Sequence, residues 1–317
     1  MVWVVTTITF VITRIMPGDP IRAKYEELLA QGVSPESAAA QTAVLHRFRP
    51  DGSLLEQYGQ YMASLLRLDL GQSLSTGVPV SVVVADAAKW TVIPILIGTL
   101  LSFLVGVTMG VYAALRRNGR LGDVLTMSGS VLRGLPDYVV ALLLAAVFAT
   151  MWPILPRSGS VDIAQEPGWN LGYLGSLAQH ATLPVLTYAL SAYGGWILAM
   201  RSSVVTVLGD DFILAAELRG LTRGYVFRYV ARNAILPLFT ILALSLATLF
   251  GGALFIERIF NYPGLGYTIV ESIGERDFTL MSGVFLLITV SIIVANIAAD
   301  LLYTMIDPRV RRGGDGT

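Results

Sequence analysis

WTVIPILIGTLLSFLVGVTMGVYAAL, residues 90–115, runs for twenty-six residues without a charge. A helix rises 1.5 Å per residue, so about 20 apolar residues cross a hydrocarbon layer of ~30 Å, and only a helix satisfies each backbone N–H and C=O within such a segment. The run therefore reads as a membrane span. Ala181 to Met200, Ala234 to Ile256 and Phe278 to Ala299 are uncharged over similar lengths. A fifth stretch, Val124 to Trp152, is interrupted by Arg133, Pro136 and Asp137; it reads either as a kink beside a polar cavity or as a segment at the membrane surface. Met1 to Ile15 is apolar but short. The expected fold class is an all-α integral membrane protein of six transmembrane helices. Residues 1–16 are its first helix, 17–89 an external segment and 90–310 a five-helix core with a cytoplasmic loop at 206–233; residues 311–317 form a cytoplasmic tail.

Composition points the same way. Hydrophobic residues make up 54% of the 317-residue chain and charged residues 14%, against roughly 25% charged in soluble domains. A formal charge of zero argues against a nucleic-acid partner. Without cysteine the chain has no disulfide, thiolate metal site or Cys nucleophile.

Charge placement sets the orientation, because short basic loops stay cytoplasmic. Arg116, Arg117 and Arg120, then Arg219, Arg223, Arg228 and Arg232, then Arg309, Arg311 and Arg312 all fall on one side of the predicted topology. The opposite side, Pro17 to Lys89, Pro153 to His180 and Glu257 to Asp277, holds fourteen of the 22 acids against nine basic residues. Both termini are thus expected in the cytoplasm. The external segment has helix-like runs at Ile21 to Ala30 and Leu54 to Leu68, with turns at Asp51-Gly52 and Thr76-Gly77.

Several chemistries are missing. The only lysines, Lys24 and Lys89, stand outside any phosphate-cradling loop, so the chain does not hydrolyse ATP alone. His46 and His180 are isolated and lack metal-ligand spacing, and there is no G-x-S-x-G elbow. No catalytic, cofactor or metal site is expected. Asp137 and Asp300 leave open a proton-coupled carrier working without an ATPase.

Between the Ala181 to Met200 and Ala234 to Ile256 stretches lies Asp210-Asp211-Phe212-Ile213-Leu214-Ala215-Ala216-Glu217-Leu218-Arg219-Gly220-Leu221, followed by Arg223, Arg228, Arg232 and Asn233-Ala234-Ile235-Leu236-Pro237. It reads as a short helix with small residues at Ala215 and Ala216, closed by a glycine suited to the left-handed conformation. A partner's groove fits closely over Ala215, Ala216 and Gly220, with arginines at the rim.

At these residues the chain resembles the EAA loop of ABC importer permeases, with Ala215, Ala216 and Gly220 at its small positions and Leu236-Pro237 at its close; Leu214 stands where the general motif has Glu. Met16-Pro17-Gly18-Asp19-Pro20, Asp69-Leu70-Gly71-Gln72-Ser73 with Gly77-Val78-Pro79-Val80, Glu257 to Gly266, and Asp300-Leu301-Leu302-Tyr303 with Asp307-Pro308-Arg309 extend the resemblance to the B-type subunit of the oligopeptide/dipeptide permeases. The resemblance implies the type I importer fold, a coupling loop made by Asp211, Ala215, Ala216, Glu217, Arg219, Gly220 and Leu221, and partners in a second, C-type permease, two ATP-binding subunits and an external solute-binding protein. ATP and Mg would sit in the partner subunits. Dipeptides, oligopeptides, oligosaccharides, glutathione and nickel are all substrates within that family.

Charges inside a span cost roughly 2.5 to 3.5 kcal/mol each on insertion scales and so avoid lipid. Arg133, Pro136, Asp137 and Tyr138, with Tyr193 and Arg201 on the fourth span, are the candidates for a polar translocation path. Arg133 and Asp137, four apart, also suit a purely structural pair on one helix.

Overall fold

The apolar runs become helices because the bilayer offers no other partner for their backbones. The computed structural model describes residues 2–15, 25–26, 28–46, 53–248 and 250–306. The Met16 to Pro20 run, Lys24, Asp51-Gly52, Asp307 to Arg309, Arg311, Arg312 and the tail lie outside the described residues, as do the side chains of His46 and Asp300. The helices are α1 (Val2–Ile15), α2 (Pro35–His46), α3 (Leu54–Leu66), α4 (Val80–Leu115), α5 (Arg120–Gly134), α6 (Asp137–Leu144), α7 (Leu171–Leu208), α8 (Asp211–Leu218), α9 (Arg223–Ala234), α10 (Leu236–Thr248), α11 (Phe250–Ile259), α12 (Leu265–Gly274) and α13 (Phe278–Ile306). A π-helical turn, Ala145–Met151, continues α6.

Among the described residues three helices, α4, α7 and α13, are long and apolar enough to span, or four if α5 and the α6 segment form one bent span. The fifth stretch is not a kinked helix: its two halves meet at 105° across Leu135-Pro136. Pro136 lacks an N–H and disfavours helical backbone at Leu135, whose ψ is 130°. The stretch Ala234 to Ile256 is likewise divided among α9, α10 and α11. Both α4 and α7 begin ten residues before their uncharged runs, at Val80 and Leu171. In α4 the added turns carry Asp86 and Lys89, an exposed pair 2.5 Å apart at i,i+3.

The chain divides into two compact units, Met1–Thr91 with Pro263–Ser291, and Val92–Tyr262 with Ile292–Thr317. In the first, α3 starts with a reciprocal cap: the Glu56 N–H donates to Ser53 Oγ at 3.4 Å and the Ser53 N–H to Glu56 Oε2 at 2.9 Å. Phe10 and Thr7 of α1 dock on this helix, Phe10 against the Tyr58 and Tyr61 rings and Thr7 hydrogen-bonded to Tyr58. Burial raises the Tyr61 hydroxyl's pKa, partly offset by its hydrogen bond to Ser282.

Asp277 joins two distant segments of this unit. Its carboxylate is fully buried; Oδ2 accepts from Ser73 Oγ at 2.6 Å and from the Ser75 N–H at 3.1 Å, while Oδ1 caps α13 by accepting the Leu280 N–H at 2.9 Å. The Asp69 to Val80 turn is thereby fixed to the head of the last helix.

In the second unit a stripe of small residues, Gly98, Ser102, Gly106 and Gly110, lies along α4 at four-residue intervals. A Cβ at Gly98 would fall 2.7 Å from the Tyr188 Cβ, at Gly106 2.5 Å from the Trp196 Cβ, and at Gly110 2.7 Å from the Met200 Cβ. Each contact pairs a residue with the one ninety positions later, so α4 and α7 run parallel with their backbones nearly touching. Helix α5 packs on α7 in the opposite sense, Gly129 against Ile197 and Arg133 against Gly194.

Gly106→Leu should force these backbones apart, since a side chain has nowhere to go. We expect loss of the folded chain from detergent extracts by size-exclusion chromatography, with Gly134→Ala, whose Cβ meets nothing within 4 Å, eluting as wild type. Asp277→Ala removes a helix cap and strands a buried hydroxyl, together about 2–4 kcal/mol. Thermal unfolding should report it as a clearly lower Tm, and an unchanged Tm would show the clamp to be dispensable.

Candidate functional site

Helix α8 is the predicted loop helix, and packing decides which way it faces. Ile213 and Ala216, three apart, are buried. Ile213 enters a core built from Phe103, Val107, Val111 and Ala114 of α4, Trp196, Met200 and Val204 of α7, and Val226, Val230 and Ala234 of α9. The Phe103 and Trp196 rings meet edge to face at 5.1 Å within it. Ser203 Oγ donates to the Ala234 carbonyl at 2.7 Å, pinning the end of α9 to α7.

The expectation that Ala215 and Ala216 share one outer surface is corrected here. Ala216 turns inward because it lies three residues after Ile213, on the same side of the helix, while Ala215 is rotated about 100° away. Leu214, Ala215 and Leu218 form the side turned away from the core, with Phe212, Gly220, Asp211, Glu217 and Arg219 also exposed. Leu218 is 80% exposed and Leu214 56%, an unusual apolar display on an otherwise charged loop.

Gly220 ends the helix. At φ +75° its N–H donates to the Glu217 carbonyl at 2.9 Å and the Leu221 N–H reaches back to Ala216 at 3.2 Å, the paired closure of a Schellman motif. Leu221 then packs on the core. The same closure recurs at Asn261, φ +45°, where the Tyr262 N–H bonds the Glu257 carbonyl. Burial first, and the Glu257 charge second, push the Tyr262 hydroxyl up to about 12.

Because α4 and α7 run parallel, the Arg116, Arg117 and Arg120 cluster lies at the same end of this unit as α8. All three arginines are exposed.

The path candidates separate into two places. Arg133, Pro136, Asp137 and Tyr138 are exposed around the bend, with Tyr138 6.1 Å from the Phe255 ring. The bend lies beside Gly194, inside the uncharged run of α7, which disfavours the surface reading. Arg133 and Asp137 form no ion pair among the described residues: they occupy different helices, so four-residue spacing does not align them. Each sits where a helix dipole favours it, Arg133 in the last turn of α5 and Asp137 in the first turn of α6. Tyr193 joins this group, its hydroxyl 3.3 Å from Ser128 Oγ. Arg201 lies two turns further along α7, and its Nε is buried without a hydrogen-bond partner among the described residues. His180 is no ligand of a metal cluster among the described residues. Its Nδ1 is 2.8 Å from the Ser176 carbonyl, at the wall of an open pocket of about 580 Å³.

Reading the sequence missed Ile213 as the anchor and the glycine stripe as the surface that positions it. The four-residue spacing of Gly98, Ser102, Gly106 and Gly110 was the available signal for the stripe.

Residues 106–312 match the family described as binding-protein-dependent transport system inner membrane component. The chain is 30% identical to the dipeptide transport system permease protein DppB of Escherichia coli K12, over 97% of this chain and 94% of that protein. It is 27% identical to the oligopeptide transport system permease protein AppB of Bacillus subtilis 168, covering 96% and 94%. To the probable D,D-dipeptide transport system permease protein DdpB of Escherichia coli K12 it is 31% identical, covering 98% and 94%. The carrier reading built on Asp137 and Asp300 gives way to this match. With the type I ABC permease fold, no cofactor of its own and no catalytic role, the chain belongs to the inner-membrane components of binding-protein-dependent transport systems.

Proposed function

We propose that the chain is the B-type permease of an ATP-driven peptide importer, forming half of the translocation path beside a different, C-type permease. Two ATP-binding subunits supply ATP and Mg, and an external solute-binding protein delivers the peptide and sets most of the selectivity. The observation that carries this reading is the exposed apolar pair Leu214 and Leu218, one turn apart on α8, on a helix whose other side is locked into the core by Ile213 and Ala216. Such a helix transmits force: an ATP-driven closure that displaces α8 must displace α7 and α9 with it, as rigid-body alternating access requires. Asp211, Ala215, Glu217, Arg219, Gly220 and Leu221 complete the coupling loop, Ala216 serving from the inner side.

The exposed Arg133, Asp137 and Tyr138 at the bend suit a path lined jointly with the second permease, where water and peptide replace lipid around the charges. Tyr193 supports that wall from α7, while Arg201 lies nearer the coupling end. The acidic excess of residues 17–89 supports an external position, and the basic ends of α4 and α7 support cytoplasmic termini.

Leu218→Asp tests the coupling role without touching the core. Burying a carboxylate in an apolar groove should lower peptide-stimulated ATP hydrolysis by the complex at least tenfold, the chain itself folding normally. Stimulation at the wild-type level would refute the assignment. Topology is checked separately with Gln60→Cys, an exposed position in α3 and the only thiol in the resulting chain. An impermeant maleimide should label it in intact spheroplasts; labelling only after lysis would invert the orientation.

A further inference from the structure

Helix α9 carries Arg223, Arg228 and Arg232 and no acid, and its inner face is Val226, Val230 and Ala234. On the opposite side Tyr225, Arg228, Tyr229 and Arg232 are exposed, at offsets of three, four and seven that stack them along one face. Ile235, between α9 and α10, keeps helical dihedrals of φ −77° and ψ −23°. The stripe therefore continues in register to Leu236 and Phe239, 47% and 37% exposed. Over about 20 Å of helix a single exposed face changes from arginine and tyrosine to leucine and phenylalanine.

That ordering discriminates between occupants. An acidic protein surface complements the arginines but gives no reason for the stripe to become wholly apolar within the next two turns. A bilayer leaflet has that gradient built in, phosphates first and acyl chains beneath. Guanidinium groups one turn apart fork onto phosphate oxygens, and tyrosine rings prefer the headgroup layer. The exposed Arg116, Arg117 and Arg120 add positive charge close by, following Ala114, which shares its core cluster with Val226 and Val230.

We propose that Tyr225, Arg228, Tyr229 and Arg232 bind the phosphate headgroup of an anionic phospholipid, whose chains lie along Leu236 and Phe239. Through Val226 and Val230 the lipid then fixes the depth of the core that anchors α8, setting the coupling helix at a constant height below the membrane. The proposal rests on the membrane reading of α10 and not on the docking role of α8.

The test uses the full chain in its purified complex. Native mass spectrometry of the wild type in mixed micelles should retain phosphatidylglycerol in preference to phosphatidylcholine, and inorganic phosphate at the same concentration should not displace it. Arg228→Gln with Arg232→Gln should weaken phosphatidylglycerol binding about tenfold or more, and Arg228→Lys with Arg232→Lys should restore part of it. Equal retention of the two lipids by the wild type overturns the proposal without needing any variant. Displacement by free phosphate overturns it in favour of a soluble anion. If the double Gln variant keeps its lipid but loses the copurifying ATP-binding subunit, the face belongs to that subunit instead, whereas a Leu218→Asp complex that loses coupling but retains phosphatidylglycerol leaves the lipid site standing.

Discussion

The close approach of α4 and α7 along Gly98, Gly106 and Gly110 is the contact on which the second unit is built. Lipid tails are as apolar as leucine, so helices in a membrane gain little from burying apolar surface against one another and must gain it from dense packing instead. Absent Cβ atoms let the two backbones meet, and the larger side chains on either side, Phe103, Val107, Trp196 and Met200, interdigitate around the seam. The parallel direction follows from the same pairs. It places the ends of both helices together, where α8 and α9 find a ready-made apolar floor.

From that floor the loop acquires its two-sidedness. An eight-residue helix is too short to be stable alone; α8 exists because Ile213 and Ala216 are buried and because Gly220 closes its last carbonyls. Once one side is held, the other side is determined: Leu214 and Leu218 have to point outward. In the docking role proposed for α8, a helix free to roll would absorb a partner's motion rather than pass it on. The broken α5–α6 span answers a different need. Pro136 interrupts the backbone inside the apolar layer, and each resulting helix end accommodates a charge through its dipole, so Arg133 and Asp137 persist there without pairing.

Much of this was legible in the residues. Uncharged length gave the apolar helices; Arg placement gave a consistent sidedness that the parallel course of α4 and α7 matches within the second unit. The loop motif located α8 to within a residue, and Gly220 was correctly read as its left-handed terminus. What escaped the sequence was facing. Ala215 and Ala216 are chemically identical, and only the position of α7 and α9 makes one an outer residue and the other an anchor. Arg133 and Asp137 suit a helical pair by spacing, until the 105° turn between them removes the helix.

Sequence by itself determined which segments must be helical, because backbone hydrogen bonding and charge desolvation act on each segment alone, whatever its neighbours. Tertiary structure decided which faces meet, since that depends on a distant segment having a gap of the right size. Gly106 is a permissive position in one helix until Trp196 arrives ninety residues later. Asp277 is an ordinary polar residue until Ser73 and Ser75 surround it. Such pairings are set by packing between segments far apart in the chain, and no local pattern in either partner specifies them.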